Sequence, residues 1–140
     1  MAETRQILNS TTTRRNVRVI EKIQTTDATP TVAYSIPLAV SRATYVRATA
    51  TAIKSDFTAA QGIEATAVFR RAPAGNVVRA SPNGGNGSIV MQSIGDYSGP
   101  APTLDIVANT TNQTIDIQVT GKASNTINWH IEILSLQNLS

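Results

Sequence analysis

The sequence has 140 residues, a formal net charge of +3, no cysteine and 41% hydrophobic residues. A chain of this length is expected to fold as a single domain that buries about two thirds of its unfolded surface. The lack of cysteine excludes disulfides and thiolate metal sites. No long apolar segment occurs, so the sequence predicts neither a secretory signal nor a membrane span.

Residues 1–15 are predicted to form an extended basic N-terminal arm, because short polar side chains dominate and no hydrophobic period is sustained. The first 24 residues contain two acidic and five basic side chains, namely Arg5, Arg14, Arg15, Arg18 and Lys22. The remaining 116 residues carry seven of each sign, so the net charge lies at this end. A short basic stretch of this kind is usually solvated or pairs with an acidic protein surface. Nucleic acid is less favoured as a partner, because three surplus positive charges without interleaved aromatic residues attract phosphate groups only weakly.

From residue 17 onward the chain is a series of short β-type runs separated by turn residues. The runs cover residues 17–23, 31–36, 43–53, 63–71, 76–80, 88–93, 103–109, 114–120 and 126–136. Their spacing predicts an all-β fold: an antiparallel β-sandwich, jelly-roll-like, of about eight to nine short strands. Residues 16–140 are accordingly assigned to a single sandwich domain.

Three connections have distinct turn chemistry. Proline and glycine within residues 72–75 suit a type I turn, which predicts a hairpin between the runs on either side. Residues 82–87 are rich in Gly and Asn but lack the lysine and the following helix of a phosphate-binding loop, so they predict a turn. Residues 56–61 are the best helical candidate, for one turn at most.

The run 43–53 predicts a lean core, because the side chains on one of its faces are small. These are Val46, Ala48, Ala50 and Ala52. Only 4% of the residues are aromatic, and Trp129, Phe69 and Tyr34 are the expected anchors. Two explanations stay open: contacts between subunits complete such a core, or alanine simply fills a compact sandwich.

The last two runs, 114–120 and 126–133, alternate strictly and predict a closing β-hairpin. If the run 103–109 pairs with the first of them, the simplest register aligns three polar side chains on the outer face. They are Asp105, Asp116 and His130, with Asp116 in the middle. Such a row could hold a divalent cation. A solvated sheet face or a polar contact between subunits is favoured, because an open convex surface lacks the groups of a built site.

Catalytic signatures are missing from the sequence. It has one histidine and no cysteine. No serine stands in a nucleophile-elbow setting, and no paired carboxylates are flanked by aromatics of the kind that bind sugars. The sequence therefore predicts a protein that is not an enzyme and that uses no cofactor.

Three stretches of the sequence carry a family resemblance. They are residues 23–31 (IQTTDATPT), residues 65–72 (ATAVFRRA) and residues 117–129, which contain VTG and INW. In this order, over roughly residues 20–135, they resemble a β-sandwich module of virion proteins from tailed bacteriophages. The resemblance implies a non-catalytic structural role, commonly in homotrimers, on capsid surfaces or in tail fibres and spikes.

The resemblance leads to an expected function in the virion. The sequence starts with its own Met1 and shows no collagen-like or coiled-coil shaft, which favours a capsid decoration or cement protein. Such a protein would bind the assembled shell of major capsid protein and stabilise it. Arg5, Arg14, Arg15, Arg18 and Lys22 are then the candidates for contacting the shell or other virion proteins. The alternative is a tail fibre, spike or baseplate-associated receptor-binding module.

Overall fold

The computed structural model describes residues 16–80 and 89–138, which form nine β-strands and no helix that could cross a membrane. The strands are β1 (Val17–Thr25), β2 (Thr31–Pro37), β3 (Arg42–Lys54), β4 (Ala60–Arg71), β5 (Val77–Ala80), β6 (Ile89–Gly95), β7 (Thr103–Asn109), β8 (Thr114–Thr120) and β9 (Ile127–Asn138). All their pairings are antiparallel, which confirms the predicted fold class. Residues 1–15 and the predicted turn at residues 82–87 lie outside the described residues. The division into an arm and one domain stays a prediction.

Two sheets face each other across the core. The larger sheet has the order β1-β9-β3-β4, and β5 and β6 both pair with β4. The smaller sheet has the order β2-β8-β7. β5 pairs with residues 68–71 of β4, and β6 pairs with residues 61–66. Together, β5 and β6 therefore form one interrupted edge strand.

One face of each sheet is buried in a common core. The predicted inward positions of β3 are all buried: Val46, Ala48, Ala50 and Ala52. Trp129 and Phe69 are the largest buried side chains, and Tyr34 packs against the core from its margin. The indole Nε1 of Trp129 donates a 3.0 Å hydrogen bond to Thr25 Oγ1, so its polar atom is satisfied inside.

Local turn chemistry decides the connections between neighbouring strands. The predicted turn joins β4 to β5, with Gly75 N donating to Ala72 O at 3.2 Å. The expected helical turn at residues 56–61 is not formed. Instead, Asp56 Oδ1 accepts hydrogen bonds from both N and Oγ1 of Thr58 in the β3–β4 turn, which competes with helical hydrogen bonding.

The predicted closing hairpin is wrong, because β8 and β9 lie in different sheets. β8 pairs with β2 and β7, whereas β9 pairs with β1 and β3. Their connection passes close to the β1–β2 loop: a Cβ on Gly121 would lie 2.4 Å from Thr25 Oγ1 and 2.7 Å from Asp27 O. Alternation identifies the buried face of each strand, but it does not say which sheet that face belongs to.

Candidate functional site

The predicted polar row of Asp105, Asp116 and His130 is not assembled. The register of β7 and β8 places Asp105 opposite Gln118 and Asp116 opposite Val107, two residues away from the predicted alignment. His130 lies on β9 in the other sheet. Across residues 16–80 and 89–138, no group of three His, Asp or Glu side chains is arranged to hold a metal ion.

The two carboxylates of that row have separate structural partners. Asp116 is only 4% exposed. Its oxygens accept hydrogen bonds from three side chains: Ser35 Oγ at 2.8 Å, Asn109 Nδ2 at 3.0 Å and Thr114 Oγ1 at 2.8 Å. Asp105 instead pairs with Arg79 at 3.3 Å and accepts a hydrogen bond from Ile106 N. Asp116 therefore links β8 to β2 and β7, and Asp105 links β7 to β5.

The basic candidates divide into two groups. Arg5, Arg14 and Arg15 lie outside the described residues. Arg18 and Lys22 both lie on β1 and point to the outer face of the larger sheet, where they are exposed. Arg18 Nη2 lies 2.5 Å from Glu132 Oε2. An exposed pair of this kind contributes little to stability. The part of Arg18 and Lys22 in partner binding stays a prediction.

Pairing of β9 between β1 and β3 builds a shallow depression on this outer face. One row across the sheet contains Lys22, His130 and Thr51, and the adjacent row contains Gln24, Asn128 and Ile53. Together with the inward-facing Ile23 and Trp129, these six residues line a depression of about 650 Å³. Gln24 Nε2 donates a 2.8 Å hydrogen bond to Asn128 Oδ1 along its edge.

The basic side chains near the depression differ in their pairing. Arg18 pairs with Glu132, and Arg47 pairs with Glu64 at 3.7 Å. Lys22 has no hydrogen bond or ion pair to any described residue. The same holds for His130, which lies directly opposite Lys22 on β9. The depression therefore presents two donor groups that the described part of the sheet leaves without acceptors.

An apolar strip crosses the same face at its other end. Leu136, Tyr45 and Val68 follow one another on β9, β3 and β4. Their exposed fractions are 58%, 43% and 43%. Adjacent exposed apolar side chains are typical of surfaces that contact other proteins. The strip is thus a candidate for contacts between subunits.

Comparison with solved structures identifies a similar fold. The crystal structure of the tailspike protein of Acinetobacter baumannii phage AM24 matches this chain with a TM-score of 0.54 and 9% sequence identity. The match covers 89% of this chain but only 27% of the tailspike chain. No protein-family model matches the sequence, and no curated protein matches it. The likeness therefore concerns the fold.

Sequence reasoning missed the outer-face depression. Its polar residues stand at alternate positions of β1, β3 and β9, so the outward direction of each side chain was predictable. Their proximity was not, because it depends on β9 pairing with the first strand of the domain rather than with β8. Lys22 and His130 are more than a hundred residues apart in the sequence, as are Gln24 and Asn128.

Proposed function

We propose that this chain is a non-enzymatic structural module of a tailed-phage virion. The observation that carries this proposal is the fold likeness to part of a phage tailspike over 89% of the chain. The resemblance of residues 20–135 to virion sandwich modules supports the same role. So does the site chemistry, because Asp116 and Asp105 are engaged in a structural hydrogen-bond network and an ion pair rather than arranged as an acid and a base.

Two placements in the virion have separate support. Capsid decoration is supported by the concentration of basic side chains in the first 24 residues, which suits an acidic shell surface. A tail spike or fibre module is supported by the tailspike whose fold this chain shares in part. The fold likeness makes the tail placement at least as compatible as the capsid placement.

The decisive experiment locates the chain on the virion. Heads and tails separated from purified virions would be probed with an antibody against residues 16–140, followed by immunogold electron microscopy. Label on heads supports decoration, and label on tails supports the spike or fibre placement. The virion role is refuted if quantitative mass spectrometry finds no copies of the chain in purified particles.

Self-association is the second part of the proposal, and a homotrimer is the expected state. The apolar strip of Leu136, Tyr45 and Val68 supports self-association, because a subunit contact that covers the strip removes apolar surface from water. Light scattering of the full chain should give three times the 14.9 kDa mass of one chain. The variant Leu136→Lys should shift this mass towards the monomer, whereas Thr66→Lys, on the same face of β4, is the control. An unchanged mass in Leu136→Lys would remove the strip from the interface.

A further inference from the structure

The outer-face depression of the larger sheet has the features of a binding site for carboxylate groups. Lys22 and His130 are opposite one another on β1 and β9, and side chains in directly opposite positions lie roughly 5 Å apart. An ammonium group donates three hydrogen bonds and an imidazole donates at least one. Neither side chain finds an acceptor among the described residues, so both are available to a ligand.

The two arginines of the same face that lie nearest the depression are paired. Arg18 and Arg47 each have a glutamate partner, Glu132 and Glu64 respectively. Those two glutamates lie one row away from Lys22 and His130 and are already engaged by the arginines. Lys22 is therefore left as an unpaired positive charge in the depression, where a carboxylate would complete the charge pairing.

The remaining lining favours a peptide as the carrier of the carboxylate. Thr51 offers a hydroxyl, and the amides of Gln24 and Asn128 can pair with the N–H and C=O groups of an extended backbone. Ile53 supplies apolar contact. Position 62, next to Thr51 in the row, is a glycine, so no side chain borders the depression on that side. The depression is therefore open on the side of β4.

The depression offers a sugar ring no exposed aromatic face among its described residues, which makes a sugar a less suitable ligand than a peptide. The only tryptophan, Trp129, is 2% exposed and turns its ring into the core. Every other side chain named in the depression is aliphatic, hydroxyl, amide, ammonium or imidazole. We propose that this depression binds an acidic peptide segment of a partner protein, with Lys22 and His130 donating to its carboxylates. This goes beyond the virion role, because the binding chemistry holds whether the partner is in the capsid, in the tail or elsewhere.

The test uses the isotope-labelled full chain and a defined probe, acetylated and amidated hexaglutamate. Titration followed by NMR should shift the backbone amides of Lys22, Thr51 and His130. Hexaglutamine is the uncharged probe, and an oligogalacturonate is the acidic-sugar probe. We expect hexaglutamate to bind at least about fivefold more tightly than either, since two carboxylate contacts of about 0.5 kcal/mol each give this ratio.

Two variants separate the site from general attraction of a basic protein for an anion. The double variant Lys22→Gln with His130→Gln should weaken hexaglutamate binding about fivefold. Arg70→Gln is the matched control: it removes an exposed cation from the same face, about 27 Å away along the strands, well beyond the screening length at 0.15 M salt. Arg70→Gln should change the affinity less than twofold.

Three results would overturn the proposal. They are equal binding of hexaglutamate and hexaglutamine, an equal loss of affinity in Arg70→Gln, and tighter binding of the oligogalacturonate. Trp129 fluorescence and amide dispersion verify that each variant is folded. Because the isolated chain is used, failure here leaves the virion placement to be decided by its own experiment.

Discussion

Asp116 is a buried carboxylate whose role is structural. Its side chain collects hydrogen bonds from the neighbouring strand β2, from the end of β7 and from its own strand. We expect Asp116→Ala to lower the free energy of unfolding by about 2 kcal/mol, because three donors lose a buried acceptor. Urea denaturation followed by Trp129 fluorescence measures the change.

Asp27→Ala is the control for this substitution. Asp27 is exposed, and its Oδ1 accepts a hydrogen bond from Thr29 N within a turn. Its loss should cost less than about 1 kcal/mol, because water replaces the exposed contact. Equal destabilisation by the two alanine variants would contradict the structural role assigned to Asp116.

Tyr97 links the stability of the fold to alkaline pH. Burial raises the pKa of the Tyr97 phenol, and the carboxylates of Asp56 and Asp96 raise the pKa further. Its hydroxyl is buried and makes no hydrogen bond with a described residue. The folded state therefore favours the neutral phenol. The resulting contribution to the free energy of unfolding is fully present below pH 10, the ordinary pKa of tyrosine, and is lost as the pH rises through the folded-state pKa.

Replacement of Tyr97 by phenylalanine should remove the decrease in the free energy of unfolding that ionisation of the phenol causes at alkaline pH. We expect the wild-type chain to lose more stability than Tyr97→Phe between pH 9 and pH 11, as measured by urea denaturation at each pH. Tyr45→Phe, which removes a hydroxyl from the exposed outer face, is the control. Parallel pH profiles for wild type and Tyr97→Phe would show that the phenol does not carry the effect.

At the scale of elements, the crossing from β8 to β9 depends on a close approach at Gly121. A Cβ there would lie 2.4 Å from Thr25 Oγ1, the atom that also accepts the hydrogen bond from Trp129. We expect Gly121→Ala to lower the free energy of unfolding by about 2 kcal/mol, because either the β1–β2 loop or the crossing must move. Thermal unfolding followed by Trp129 fluorescence measures this directly.

Gly62→Ala provides a comparison within the same sheet. The nearest atom to a Cβ at position 62 is Ile94 O at 3.9 Å, so the added methyl group makes an ordinary van der Waals contact and displaces nothing. Alanine should be neutral there or stabilising by about 0.5 kcal/mol, because it restricts the unfolded chain. A similar decrease in the free energy of unfolding in both variants would mean that the close approach at Gly121 does not affect stability.

At the scale of the whole molecule, the boundary between arm and sandwich can be tested by truncation. Asn16 is the first described residue, and its Oδ1 accepts a hydrogen bond from Gln137 N at 3.3 Å. A fragment of residues 16–140 keeps this contact and all nine strands. Its melting temperature should stay within about 2 °C of that of the full chain, which corresponds to roughly 0.5 kcal/mol. A larger drop would place residues 1–15 within the folded unit.

Local patterning determined the elements of this protein. Alternation in the sequence located nine strands and the buried positions of β3, and proline and glycine at residues 72–75 predicted the β4–β5 turn. These features depend on contacts between residues that are close in sequence, such as the turn hydrogen bond from Gly75 to Ala72. They depend also on the two-residue period that any half-buried strand shares.

The pairing of distant strands was decided only by the tertiary structure. Strands β1 and β3 both show a clear inner face, and nothing local indicates that β9 lies between them. Because the chain places β9 there, Lys22 meets His130, and Asp116 is left in the other sheet with Ser35 and Asn109. Packing of two complete sheets selects that arrangement, so the candidate binding site became visible only when the sheets were assembled.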